Sequence, residues 1–174
     1  MDKITRRFII SFVITSLLGV FFHFLYDISN QSTLIGVFTP INESIFEHLK
    51  LLFFPFILVS ILELLISKKS ITNIMPYRIF YITFSIILLP LIYYTAKKIG
   101  INNAVFNITL YFICLEITYL LSYEAEKKQL IPNKKIKLLS LGIFTLLIIL
   151  FVAMTFNPPH IEIFKDPING TYGI

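Results

Sequence analysis

The sequence predicts an all-α protein, a polytopic bundle of about five transmembrane helices, and two observations lead to this prediction. The first is a shortage of charge: 14% of the 174 residues are Asp, Glu, Lys or Arg, whereas 56% are hydrophobic. A soluble domain usually has about 25% charged residues, which cover its water-facing surface. The second is that the apolar residues form long runs, with a mean hydropathy of +0.82. These features exclude a soluble enzyme, a disordered tail and a coiled coil, and predict contact with a lipid bilayer.

Five segments are long enough to cross a membrane, which requires about 20 mostly apolar residues. They are residues 8–26, 49–67, 79–96, 103–123 and 138–156. A chain of this length accommodates one such bundle, so we expect a single integral membrane domain over residues 1–174.

The distribution of basic residues predicts the orientation, because cytoplasmic loops accumulate Lys and Arg. With a cytoplasmic N-terminus, eleven of the fifteen basic residues lie inside, and four lie outside: Lys50, Lys97, Lys98 and Lys165. We therefore expect a multi-pass protein of the cell membrane with its C-terminus outside. The net charge of +5 then reflects topology, and no nucleic-acid partner is expected.

Two outer segments, residues 27–48 and 157–174, contain the candidate site. All three histidines lie in or beside them, together with five of the ten carboxylates. Imidazole and carboxylate groups are the usual ligands of catalytic zinc, which commonly has three protein ligands and a water. The candidate metal ligands are His23, Asp27, His48, His160 and Asp166. The candidate acid/base groups, which need no metal, are Glu43, Glu47 and His48.

The same residues also have ordinary structural explanations. A helix leading into the second span begins either at Thr39-Pro40 or at the capping box Ser44-x-x-Glu47. Glu43 and Glu47 would then be i, i+4 neighbours that the helix dipole favours. His23 could hydrogen-bond Asp27 one turn away. Only the joint placement of these groups at one face indicates a site.

The second outer segment is a tail whose prolines favour turns over a continued helix. Several apolar side chains within it are typical of a segment that packs on protein. We expect it to fold back over the outer mouth of the bundle, anchored by Ile161, Ile163, Phe164, Ile168, Tyr172 and Ile174.

Two acidic residues, Glu63 and Glu116, fall within the predicted spans. Carboxylates inside a membrane are costly and indicate either a function or a buried partner. Ion pairing with Lys68 and Lys69 would explain Glu63. For Glu116, which has Tyr119 three residues later, a structural hydrogen bond with a tyrosine or a lysine is favoured over a proton relay.

The outer segments resemble the signatures of an uncharacterised family of small bacterial multi-span membrane proteins. The resemblance is carried by an Asn-Glu-Ser-x-x-Glu-His segment at 42–48 and a Pro-Pro-His ending at 158–160 that continues to Asp-Pro-x-x-Gly-Thr-Tyr-Gly at 166–173. It implies a membrane protein of unknown function and transfers no catalytic role. We expect the protein in the bacterial cytoplasmic membrane.

Three functions therefore remain open. The first is a membrane enzyme that uses a metal such as zinc, or an acid/base pair, at the outer face. The second is a small transporter or channel subunit with Glu63 and Glu116 as relay points, which with five spans would require oligomerisation. The third is a non-catalytic accessory protein that docks a membrane partner.

Overall fold

The computed structural model describes residues 3–174, and within them the regular structure is entirely helical. The helices are α1 (Lys3–Ile28), α2 (Thr33–Gly36), α3 (Ile45–Ile66), α4 (Ile71–Lys98), α5 (Ala104–Lys127), α6 (Lys134–Phe156) and a 3-10 turn (Glu162–Phe164). All of the α-helices except α2 are long and apolar enough to cross a membrane, which makes five candidate spans in this part of the chain. The predicted fold class and the five spans are confirmed.

Successive long helices run in opposite directions, so the bundle has two ends. Hydrogen bonds between Thr5 and Tyr123, and between Lys137 and Asn73, join helix termini at one of them. We call this the arginine end, because Arg7 and Arg78 lie there. The opposite end, where α1 ends and α3 begins, is the histidine end.

Helix α3 lies at the centre of the bundle. In its most apolar stretch 67% of the residues are buried, against 17% in α6. Its Phe53 and Phe56 rings are fully buried, and Phe53 packs against Phe151 of α6 with ring centroids 5.3 Å apart. The other long helices surround α3 and turn apolar side chains outward, as lipid-facing helices do. The bundle is therefore built around the helix whose first turns lie at the histidine end.

Helix α4 begins at Ile71, earlier than the predicted start at residue 79. The prediction placed Arg78 outside the membrane because a charged side chain is costly there. In the structure Arg78 lies inside the helix and is 5% exposed. Its charge is tolerated because it is paired within the bundle.

Four largely buried side chains, between 6% and 16% exposed, form an ion-pair network at the arginine end. Arg78 binds Glu63 through two parallel hydrogen bonds of 2.9 and 3.0 Å. Arg7 Nε lies 2.7 Å from the same carboxylate, and Arg7 also contacts Glu126. Arg78 lies 3.6 Å from Glu126 as well. Two cations and two anions thus join α1, α3, α4 and α5.

The expected pairing of Glu63 with Lys68 and Lys69 is wrong. The carboxylate points into the bundle, where the two arginines meet it, because guanidinium groups bind carboxylates in a bidentate way that lysine does not. Lys69 instead lies 3.6 Å from Glu126.

The expected hydrogen bond between Glu116 and Tyr119 is also wrong. Tyr119 is buried and donates to the carbonyl oxygen of Ser11 across the α1–α5 contact. Glu116 is exposed on the outside of α5, and it has no hydrogen bond or ion pair within residues 3–174. Glu63 is buried and paired with two arginines, so the two acids lie in different surroundings.

The network predicts that removing Glu63 destabilises the bundle severely. Glu63→Ala leaves the buried Arg78 and the partly buried Arg7 with one carboxylate between them, and breaking a buried ion pair costs about 3–5 kcal/mol. The free energy of unfolding in mixed micelles, followed by circular dichroism, measures this loss. Glu116→Ala is the matched control, because it removes an exposed carboxylate from a neighbouring helix. Equal losses in the two variants would contradict a stabilising role for the network.

Candidate functional site

The linker between α1 and α3 is packed closely against the bundle at the histidine end. Its short helix α2 ends at Gly36, which is buried between Tyr26 and Ile41. A Cβ atom at Gly36 would lie 2.7 Å from Ile41 Cγ2 and 2.9 Å from Tyr26 Cε2. Only glycine therefore fits at this position, and the close approach brings the Gly36 carbonyl oxygen towards α3.

A fully buried lysine holds this linker in place. Lys50 Nζ donates to the Gly36 carbonyl oxygen at 2.8 Å and lies 2.6 Å from Glu47 Oε2. It also donates to Thr155 Oγ1 of α6 at 2.7 Å. The side chain is 0% exposed. Its charge is balanced by Glu47 and its three protons have acceptors, as burial of an ammonium group requires.

Helix α3 begins at Ile45 with Ser44 as its N-cap. The Ser44 hydroxyl accepts a hydrogen bond from the backbone N–H of Glu47 at 3.3 Å. The Glu47 side chain does not complete the capping box, since it accepts from the Ile41 N–H at 3.0 Å and binds Lys50. The alternative start at Thr39-Pro40 is wrong, because the Thr39 hydroxyl donates to the Ile35 carbonyl oxygen instead.

This start separates the two glutamates that were expected to share a helix face. Glu43 precedes the N-cap and lies outside the helix, so its side chain is free to turn towards the histidines. Glu47 lies in the first turn and points into the buried pair with Lys50. Of the three candidate acid/base groups, Glu43 and His48 are therefore close together, whereas Glu47 has a structural partner.

The N-terminus of α3 also orients His48. Its Nδ1 lies 2.8 Å from the Ser44 carbonyl oxygen. A carbonyl oxygen only accepts, so Nδ1 carries the proton and Nε2 of the neutral ring presents a lone pair. A hydrogen bond of this kind is the usual partner of a metal-ligating histidine, because it fixes the ring and its tautomer.

Two other side chains, His23 and Glu43, approach the His48 Nε2 lone pair. His23 Nε2 lies 3.2 Å from His48 Nε2. Glu43 Oε2 lies 3.4 Å from His48 Nε2, and Glu43 Oε1 lies 3.8 Å from His23 Nε2. We call His23, Glu43 and His48 the histidine cluster.

The spacing matches that of ligands around a tetrahedral metal ion. Zinc bonds of about 2.0–2.1 Å place neighbouring tetrahedral ligand atoms about 3.3–3.4 Å apart. The potential ligand atoms of the cluster all lie within 4.8 Å of one another. The side chains are only partly buried, from 26% exposed for His48 to 42% for Glu43. A fourth ligand position would therefore be accessible to a water or a substrate.

Without a metal ion, the two imidazoles can be close only if they share a proton. Since His48 Nε2 carries a lone pair, His23 Nε2 must then donate a proton to it. His23 Nδ1 is buried and has no hydrogen-bond partner among the described residues. His23 is therefore the less firmly held of the two rings.

The remaining candidate ligands lie outside the cluster. Asp27 is exposed and is not among the grouped ligand atoms. His160 stacks on Tyr172 in the tail, with ring centroids 4.4 Å apart. Asp166 is 2% exposed and caps a turn, where its Oδ1 accepts from the Ile168 N–H at 2.7 Å.

The tail folds back onto the histidine end. Phe164 packs on Phe46 of α3 with ring centroids 4.6 Å apart. The Ile174 N–H donates to the Thr155 carbonyl oxygen at 2.9 Å. Ile163 also packs against the core, whereas Ile161 and Ile168 are 56% and 74% exposed and are not anchors.

A groove of about 620 Å³ lies between the tail and the ends of α3 and α4. It is lined by Glu43, Ile45, Tyr93, Tyr94, Lys97, Glu162, Lys165, Asp166, Pro167, Ile168, Asn169 and Gly170. Because Glu43 belongs to both, the groove and the histidine cluster adjoin one another.

The buried role of Lys50 differs from the outer surface charge that the sequence predicts. The available signal was the i, i+3 spacing from Glu47, which places the two charges within reach on one helix. The contacts with Gly36 and Thr155 are long-range and have no local pattern.

The fold and the site define a multi-pass membrane protein with a cluster of two histidines and a glutamate at one end of its bundle. The chain belongs to a family of unknown function (DUF6512), whose model matches residues 1–174. No curated protein and no solved structure matches it.

Lys50→Ala is expected to loosen the histidine end and destabilise the protein by about 3–5 kcal/mol, because it leaves the Glu47 carboxylate buried without its cation. Unfolding in mixed micelles measures the loss, and limited proteolysis of the 29–44 linker reports the loosening. Lys98→Ala, at an exposed position of the same end, is the control. Wild-type stability and an intact linker in the Lys50 variant would contradict this role.

Proposed function

We propose that the protein binds a divalent transition metal, most suitably zinc, at the histidine cluster and uses it for hydrolytic or transfer chemistry at the membrane surface. The observation that carries the proposal is the convergence of His23 Nε2, His48 Nε2 and a Glu43 oxygen within 4.8 Å. Two histidines and a glutamate are a ligand set of catalytic zinc sites.

The ligand number and exposure favour a catalytic site over a structural one. Structural zinc sites are closed by four protein ligands, whereas catalytic sites keep one position for water. A zinc ion in this position would lower the pKa of its bound water towards 7 and supply a nucleophile. The cluster borders the groove through Glu43, so a substrate in the groove would lie beside the metal.

The proposed orientation places this chemistry outside the cell. The excess of Lys and Arg towards the arginine end supports a cytoplasmic location for that end. The resemblance of the outer segments to a family of bacterial multi-span proteins supports a location in the bacterial cytoplasmic membrane. The histidine end would then face outward.

Metal stoichiometry tests the proposal. Purified protein loaded with zinc and washed free of excess metal should retain about one zinc per chain, measured by inductively coupled plasma mass spectrometry. His23→Ala and His48→Ala should each weaken binding by at least about 100-fold, since losing even an outer-sphere partner of a ligand costs about 10–100-fold.

Matched controls separate the cluster from nonspecific binding. His160→Ala removes the third histidine, which lies outside the cluster, and Asp27→Asn removes a nearby exposed carboxylate. Both should bind zinc as the wild type does. Wild-type protein that retains no zinc would overturn the metal proposal and leave Glu43 and His48 as an acid/base pair.

A further inference from the structure

We infer that the groove beside the histidine cluster binds the phosphate group of a membrane amphiphile, with Lys97 and Lys165 as its cationic ligands; this extends the proposed function by naming a substrate class.

The position of the groove favours a ligand that comes from the membrane. Lys97 lies in the last turn of α4, and Tyr93 and Tyr94 lie one turn before it. Lysine and tyrosine at the end of a spanning helix lie at the level of the lipid headgroups. The groove is therefore level with the phosphates of the surrounding lipids.

The two lysines are available to an anion. Lys165 is exposed and forms no ion pair within residues 3–174. Lys97 lies 2.6 Å from Glu162, with both side chains well exposed at 40% and 64%. An exposed ion pair of this kind contributes little, so a phosphate can replace Glu162 as the partner of Lys97. Ammonium–phosphate hydrogen bonds are charge-assisted and strong.

Metal binding would make the groove attractive to an anion. Its charged lining residues are two lysines and three carboxylates, Glu43, Glu162 and Asp166, which together have a net charge of −1. A divalent ion on Glu43 changes this to +1. We therefore expect phosphate binding to be stronger in the zinc-loaded protein than in the metal-free protein.

The groove also has a surface for the apolar part of such a ligand. Ile45, Pro167 and Ile168 line it, and Ile168 is 74% exposed. The volume of about 620 Å³ is within the range of about 300–1,000 Å³ that small-molecule sites occupy. A phosphorylated headgroup and its glycerol fit this space.

Calorimetric titration of the whole protein in detergent tests this inference. The probes are dihexanoyl phosphatidic acid, dihexanoyl phosphatidylcholine and inorganic phosphate, each added to zinc-loaded and to metal-free protein. Phosphatidic acid should bind most tightly, and Lys97→Ala and Lys165→Ala should each weaken its binding about tenfold, as expected for a lost hydrogen bond to a charged group. Lys98→Ala is the control, because it removes the adjacent exposed lysine that does not line the groove.

The outcomes separate this inference from the metal proposal, because zinc content is measured on the same samples. If the protein retains zinc but does not bind phosphatidic acid, the groove assignment alone is overturned. The same holds if the protein binds phosphatidic acid and the two lysine variants leave this binding unchanged. Inorganic phosphate binding as tightly as phosphatidic acid overturns the membrane source of the ligand. If the protein retains no zinc, binding of phosphatidic acid that depends on the two lysines still supports the assignment of the groove as a phosphate site. If neither zinc nor phosphatidic acid binds, both proposals are overturned.

Discussion

The geometry of the histidine end depends on the burial of the Lys50 ammonium group. Because the side chain is 0% exposed, its protons must be satisfied within the protein. Its partners lie on three parts of the chain: Gly36 in the linker, Glu47 in α3 and Thr155 in α6. The Thr155 carbonyl oxygen in turn accepts from the last residue of the tail. One cation thus positions both the linker that presents Glu43 and the tail that closes the groove.

The ionisable side chains at the two ends of the bundle differ in how they are paired. At the arginine end Arg78 and Glu63 form two parallel hydrogen bonds, and both side chains are 6% exposed, which is typical of an ion pair that stabilises. At the histidine end His23 and His48 face each other at 3.2 Å and are partly open to solvent. Ionisable side chains that lie close together without an ion-pair partner for each are more typical of functional sites than of packing. The His23–His48 contact is therefore not explained as a stabilising ion pair of the kind found at the arginine end.

The sequence was sufficient to predict the all-α fold and the five spans, because composition and apolar runs determine both. It also predicted that the linker and the tail lie at the same end, since an odd number of spans places them together. It could not predict that Glu43 meets His48, because that depends on the helix starting after Ser44 rather than at Thr39. It could not predict the pairing of Glu63 with Arg78, because that requires the packing of two helices.

X-ray absorption at the zinc edge, on zinc-loaded protein in lipid nanodiscs, tests the metal site most directly. Zinc at the histidine cluster would give a shell of about four nitrogen and oxygen ligands at about 2.0–2.1 Å, with the outer-shell scattering of two imidazole rings that disappears in the variant lacking both His23 and His48. An all-oxygen shell without imidazole scattering, or a spectrum that the double variant leaves unchanged, would contradict it.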